Sequence, residues 1–180
     1  MLAITSSFLA KFIQDPQATG AVAPATRMLA HSVGRAAREA YRRHATAGPL
    51  QLLELGAGTG ALTSRIRPLN PVLVEKDEAW AALLRDRFPG LEVRHACALQ
   101  TMEALAQPAG IVSSIPLWNN PESAELKRLL HAKYAAGLVR FCVLYTYGWT
   151  DPLGGAGFRE AHRAAFVPRS LPPAHVWLYE

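Results

Sequence analysis

The sequence predicts an α/β fold, a mostly parallel sheet flanked by helices and closed by an antiparallel C-terminal hairpin. Three observations predict it. From residue 50 onward, short apolar runs alternate with amphipathic stretches, the sign of parallel strands joined by crossover helices. The first of those runs leads into "LGAGTG", a glycine turn placed between a strand and a helix. The tail then changes character: "FREAHRAAFVPRS" and "AHVWLYE" flank Leu171, Pro172 and Pro173 and read as two paired strands.

Taken in order, residues 3–14 suit a short helix with Ile4, Phe8, Leu9 and Phe12 near one face. "DPQATGAVAP" breaks it with Pro16, Gly20 and Pro24. A longer helix is predicted over 25–45 and stops at "AGP". Arg27, His31, Arg35, Arg38 and Arg42 share one of its faces, while Leu29, Val33, Ala36, Ala37 and Ala40 share another. Strands are predicted near 50–55, 71–75, 91–95, 110–115 and 138–146, with helices near 60–66, 77–87, 100–106 and 121–136. No repeat or Ser/Gly linker divides the chain. Its 180 residues, half of them hydrophobic, suit one domain with a sizeable core. Within it, 1–46 forms an N-terminal helical cap and 47–180 the core.

Composition narrows the classes. No apolar run reaches the roughly 18 residues needed to span a bilayer. The start, "MLAITSSFLAKF", lacks a basic leader and a small-residue cleavage site, so no secretory signal is expected. Cys97 and Cys142 are too few for a disulfide framework and lack metal-ligand spacing, which predicts two buried, reduced thiols in a cytosolic protein. His131, His162 and His175 show no metal spacing either and are expected as surface or packing residues. Net charge is +5, so an anionic partner is expected, nucleic acid or an acidic membrane surface. Charge alone does not choose between them.

"LLELGAGTGAL" sets Gly56, Gly58 and Gly60 where the backbone must turn sharply and let a ligand approach without a Cβ in the way. N–H groups at the following helix start suit an anionic or carboxylate-bearing ligand. Glu75 ends the next strand in "VLVEKD", where a carboxylate can take both hydroxyls of a ribose. These letters also fit the dinucleotide pattern G-x-G-x-x-A, and a glycine turn can be merely structural. Two features favour S-adenosyl-L-methionine (SAM) over a nicotinamide dinucleotide. Glu54, just before the loop, offers negative charge to an ammonium that pyrophosphate lacks. The chain length also leaves little room for a separate dehydrogenase domain.

On "ELGAGTG" and Glu75 the chain resembles the class I SAM-dependent methyltransferases, which implies their Rossmann-like sheet, SAM as methyl donor, S-adenosyl-L-homocysteine as product and no metal. It departs from them in "RHACAL", where an Asp for the adenine amino group gives way to Cys97, a weak acceptor. Adenine contacts then fall to backbone groups and to Ala98 and Leu99. Four further segments resemble the soluble bacterial phospholipid N-methyltransferases, themselves similar to ribosomal RNA adenine dimethyltransferases. They are "DPQATGAVAPATRMLA", "SSIPLWNNP", "YTYGW" and "VPRSLPPAHVWLYE". That resemblance implies an acceptor amine on phosphatidylethanolamine or its mono- and dimethyl forms, towards phosphatidylcholine. It implies a cytoplasmic protein held reversibly at the inner membrane face, with the N-terminal segment facing membrane and substrate.

The residues agree with an alkyl amine. Enzymes that methylate nucleobase amino groups grip them with Asn or Asp, two prolines and an aromatic; here Ser113, Ser114, Ile115, Pro116, Leu117 and Trp118 stand instead. An aliphatic amine is nucleophilic once deprotonated and needs mainly desolvation and placement. Trp118 and Tyr147 are candidate faces for a methylated ammonium, against the alternative that Trp118 packs on the next helix. The Tyr147 phenol could bond the amine or accept its proton, and loss to water is an equal route. The resemblance points to Arg169 for the lipid phosphate, to Thr26 near the methionine carboxylate, and to Ser113 and Ser114 for main-chain or hydroxyl contacts. The apolar edge of the first helix suits a bilayer interface or a lid. The alternatives are N-methylation of rRNA adenine or of a soluble amine, and a binding module without catalysis.

Overall fold

The computed structural model describes residues 27–117, 120–154, 157–170 and 172–180. The helix expected over 3–14, Thr26 and Trp118 lie outside the described residues. Along the chain run α1 (Arg27–His44), β1 (Gln51–Leu55), α2 (Thr63–Ile66), β2 (Val72–Glu75), α3 (Glu78–Arg87) and β3 (Val93–His95). Then come α4 (Ala98–Glu103), β4 (Ala109–Ser113), α5 (Ser123–Ala135), β5 (Val139–Thr146), β6 (Ala161–Val167) and β7 (Ala174–Tyr179).

The strands form one sheet in the order β3-β2-β1-β4-β5-β7-β6. The first five are parallel, and β7 enters antiparallel between β5 and β6. The central strands are mostly apolar on both sides rather than alternating, because both faces of the sheet are covered: every residue of β2 and β4 is buried. On one face Leu53, Ile111, Leu144 and Trp177 pack with Leu126, Leu129 and Leu130 of α5. On the other, Leu52, Val112, Phe141 and Val176 pack against Leu29, Val33, Ala37 and Ala40 of α1. β7 buries all six residues, whereas β6, at the edge, leaves Ala161, His162, Arg163 and Phe166 exposed.

The expected elements all form over the described residues, with local differences that have physical causes. The helix expected from 60 starts at Thr63, because residues 56–62 make the glycine turn. The strand expected through 115 ends at Ser113, whose Oγ accepts the Ile115 N–H at 3.3 Å and bends the chain. The expectation of two buried thiols is corrected at Cys97. Cys142 is buried in β5, which pushes its thiol up to about 12, but Cys97 is half-buried where β3 turns into α4. Of the basic face of α1, Arg27, His31, Arg35 and Arg42 are exposed, while Arg38 turns inward and donates to the Arg65 carbonyl.

Candidate active site

The carboxyl ends of the five parallel strands deliver the expected residues to one edge. β1 leads into Gly56, β2 ends on Glu75, β3 leads to Cys97, β4 ends on Ser113 and β5 leads to Tyr147. This is the edge where open α/β sheets bind ligands.

All three loop glycines take left-handed φ, 71° at Gly56, 55° at Gly58 and 79° at Gly60. At two of them a side chain would also collide. A Cβ on Gly56 would stand 2.8 Å from Ile115 Cγ1, and one on Gly60 would stand 2.3 Å from Phe88 Cε2. The Gly56 contact brings the glycine loop against the Ser-Ser-Ile-Pro corner. Gly56 and Ala57 N–H groups donate to the Val74 carbonyl at 2.9 and 3.2 Å, tying the loop to β2.

Glu75 is 5% exposed, and each carboxylate oxygen accepts one main-chain N–H. Gly58 donates to Oε2 at 2.8 Å and Asp77 donates to Oε1 at 3.0 Å. A carboxylate oxygen has room for more than one donor, so ribose hydroxyls remain within its capacity.

Glu54 is fully buried, and Thr63 Oγ1 donates to its Oε2 at 2.7 Å. Its Oε1 has no partner among the described residues. Burial, only partly offset by the Thr63 hydrogen bonds, pushes this carboxyl up to about 8. At neutral pH it is therefore mostly protonated, which refines the expectation of a standing negative charge. An unpaired acid oxygen in a dry position suits an arriving ammonium, which would draw the proton off.

Towards β4 and β5 the surroundings change. Ser113 is buried, and its hydroxyl is engaged by Ile115. Ser114 is half-buried, with its N–H donating to Leu55 O at 3.0 Å. Asn120 Nδ2 donates to Pro116 O at 3.0 Å, and its Oδ1 accepts the Glu122 N–H at 2.9 Å. Tyr147 is half-buried and sits edge-on to Tyr145, with ring centres 5.8 Å apart. Burial raises the Tyr147 phenol above its ordinary value. Burial also raises Tyr145, with Tyr147 and the Glu54 carboxyl adding to the effect.

Ala98 opens α4 beside Cys97, whose carbonyl accepts the Thr101 N–H at 3.0 Å. Arg169 lies in the turn after β6. Because β6 runs with β5, that turn comes to the same end of the sheet, two strands out from Tyr147. Arg169 is exposed and has no ion-pair partner among the described residues. Glu54, the glycines, Glu75, Cys97, Ala98, Ser113, Ser114 and Tyr147 thus share one edge, with Arg169 at its flank.

Sequence reasoning missed Thr63, Asp77, Tyr145 and Asn120. Thr63 reaches Glu54 only once α2 packs on β1, so no local pattern marks it. Asn120 carried a signal: Asn before Pro121 and Glu122 has the makings of a side-chain-to-backbone turn. Among the described residues, no group of three His, Cys, Asp or Glu could hold a metal ion.

The site fits the donor that the glycine motif implies. Glu54 Oε1 would take the methionine ammonium and Glu75 the ribose.

No family model and no curated protein matches the chain. Solved structures do. The chain is similar to the 23S rRNA methyltransferase ErmE at 20% identity and a TM-score of 0.58, over 83% of this chain and 66% of that one. It is similar to the T. thermophilus 16S rRNA N2 G1207 methyltransferase RsmC, solved with AdoMet and guanosine, at 21% identity and a TM-score of 0.58. That match covers 89% of this chain and 44% of RsmC. The bifunctional kinase-methyltransferase WbdD matches at 17% identity and a TM-score of 0.58, over 82% of this chain and 38% of its own. The chain therefore spans less than two thirds of each of these proteins, and at such identities the likeness is one of fold. It has the class I methyltransferase Rossmann-like architecture, a mostly parallel sheet with one antiparallel C-terminal hairpin.

Proposed function

We propose that the chain is a SAM-dependent N-methyltransferase whose acceptor is the amine of phosphatidylethanolamine and its mono- and dimethyl forms. The observation that carries the acceptor is the fate of the polar side chains beside the glycine loop. Ser113 Oγ serves Ile115, and both ends of the Asn120 amide serve Pro116 and Glu122. Among the described residues of that corner, the side-chain carbonyl, Asn120 Oδ1, is already turned to the Glu122 N–H, which leaves a nucleobase amino group only its second lone pair. An aliphatic amine does not require such an acceptor.

When bound, SAM supplies an electrophilic methyl on a sulfonium. The chain's own residues do the rest. Glu54, Glu75 and the glycine loop would hold the donor by its ammonium, its ribose and its flank. Ser114 and the Ile115–Pro116 turn would shape the wall beside the amine, with Tyr147 as an aromatic face and a hydroxyl. Trp118, which lies outside the described residues, is the second aromatic candidate for the ammonium. Burial raises the Tyr147 phenol, so in this reading Tyr147 orients the amine while the proton of the ammonium goes to water before transfer. Arg169 would hold the lipid phosphate through its two-pronged guanidinium. Thr26, Cys97, Ala98 and Ser113 are further donor contacts in this reading. Among the described residues no helix is long and apolar enough to cross a membrane. In this reading the protein is cytoplasmic and binds the membrane's inner face reversibly.

A second reading has its own support. Arg27, His31, Arg35 and Arg42 leave an exposed basic face on α1, and two of the similar folds belong to rRNA methyltransferases. Transfer from methyl-labelled SAM should be measured in parallel to phosphatidylethanolamine vesicles and to ribosomal RNA. Label in the lipid is expected; label in RNA alone would reject the lipid acceptor.

A further inference from the structure

The carboxyl edge also carries an aromatic cluster that the candidate active site does not use. Trp149, just past the end of β5, is 72% exposed, and Phe166 on the edge strand β6 is 48% exposed. Their ring centres lie 5.7 Å apart. Both rings pack on His175 of β7, at 4.6 Å and 4.8 Å. The register makes this meeting: His175 pairs with Thr146 on one side and with Phe166 on the other. His175 is buried beneath the two rings. Burial and the nearby Arg163 charge hold its imidazole below the ordinary value, so the floor of the cluster is an uncharged ring.

Two large rings side by side on a solvent-facing rim make a contiguous apolar patch, the kind of feature that marks a contact site. The cations around them suggest what they contact. Arg163 on β6 and Arg169 in the next turn are both exposed, and neither has an ion-pair partner among the described residues. We propose that Trp149 and Phe166 seat in the headgroup-acyl boundary of an anionic phospholipid bilayer, with Arg163 and Arg169 on lipid phosphates. Tryptophan, with an apolar body and one polar N–H, favours that boundary. Basic residues beside it add attraction to anionic lipid. The rings lean on each other and on His175, so they form a knob that inserts rather than an open slot for stacked bases. This inference rests on the lipid acceptor proposed above. It explains how the sheet edge bearing the site would meet the headgroups.

The test is co-sedimentation of the full chain with vesicles of equal parts phosphatidylethanolamine and phosphatidylglycerol. Trp149→Ser and Phe166→Ser should each lower partitioning about tenfold, the effect of withdrawing roughly 60 Å² of apolar surface from the bilayer. Their melting temperatures should stay within a few degrees of the parent. Lipids brominated near the headgroup should quench tryptophan emission of the parent and much less in Trp149→Phe. Unchanged partitioning of the double serine variant would overturn the proposal. So would lost affinity for an oligouridine probe with vesicle binding intact, which would make the cluster an RNA surface. Methyl transfer to phosphatidylethanolamine in detergent, run alongside, separates the two ideas. Transfer with unaltered vesicle binding removes only the foothold, and a foothold without any transfer removes only the lipid acceptor.

Discussion

The two halves of the carboxyl edge are built from different materials. From β1 to β3, where the donor would lie, main chain and buried acids set the geometry. Glycine amides bond Val74 and Glu75, Asp77 bonds Glu75, and Thr63 bonds Glu54. From β4 to β7, where the acceptor would lie, rings and exposed arginines take over: Tyr145 against Tyr147, Trp149 and Phe166 on His175, Arg169 at the rim. The first half suits a single ligand of fixed shape, held by short bonds that tolerate little change. In the proposed function the second would take an amine on a large, variable molecule, gripped by area and charge. Substitutions in the two halves should therefore fail in different ways.

The largest effect is expected at Gly60. Gly60→Ala forces a side chain into a left-handed turn and against Phe88, and should cost about 3 kcal/mol in denaturant unfolding. Stability within 1 kcal/mol of the parent would mean that the donor half is less tightly built than described.

Glu54 comes next, through pH. Its folded carboxyl titrates near 8 against 4.5 for the ordinary group. The folded state thus favours the proton, and this group's contribution is fully present below pH 4.5. As pH rises to 8 that contribution is lost, by at most about 1.4 kcal/mol per unit. Glu54→Gln should flatten this slope in melts of the ligand-free protein. It should also abolish the rise in SAM affinity expected between pH 6 and 8. An unaltered slope would place the titration elsewhere.

In the acceptor half, Arg169→Ala should raise the lipid KM about tenfold, the worth of one charge-assisted contact, while SAM affinity and melting temperature stay put. Equal loss of SAM affinity would dissolve the contrast between the halves. The smallest effect belongs to Tyr147→Phe. If the phenol orients the amine and takes no proton, kcat should fall only a few-fold, and the pH profile should keep its shape. A profile that loses a limb would make Tyr147 the proton acceptor.

The same contrast decides what the sequence could foretell. The donor half is local: three glycines within five residues and an acid at the next strand end specify a turn and a ligand class by themselves. Its one surprise, the neutral Glu54, depends on Thr63, which meets it only through packing. The acceptor half is non-local. Trp149, Phe166 and His175 come together through a β5-β7-β6 register that no short motif encodes, so the cluster was invisible beforehand although its strands were expected. Cys97 was misjudged because thiols are usually buried, whereas this one occupies a strand-to-helix turn at a ligand-binding edge. The arginine face of α1 was legible as a stripe, but Arg38's turn inward to Arg65 needed the contact with α2.

Titration calorimetry with SAM tests the central claim most directly, that the glycine loop, Glu54 and Glu75 form a donor pocket. Saturable one-to-one binding to the parent chain, absent in a folded Glu75→Ala variant and not reproduced by a nicotinamide dinucleotide, is the expected result. No binding heat from the parent, or equal heat from the Glu75→Ala variant, would contradict it.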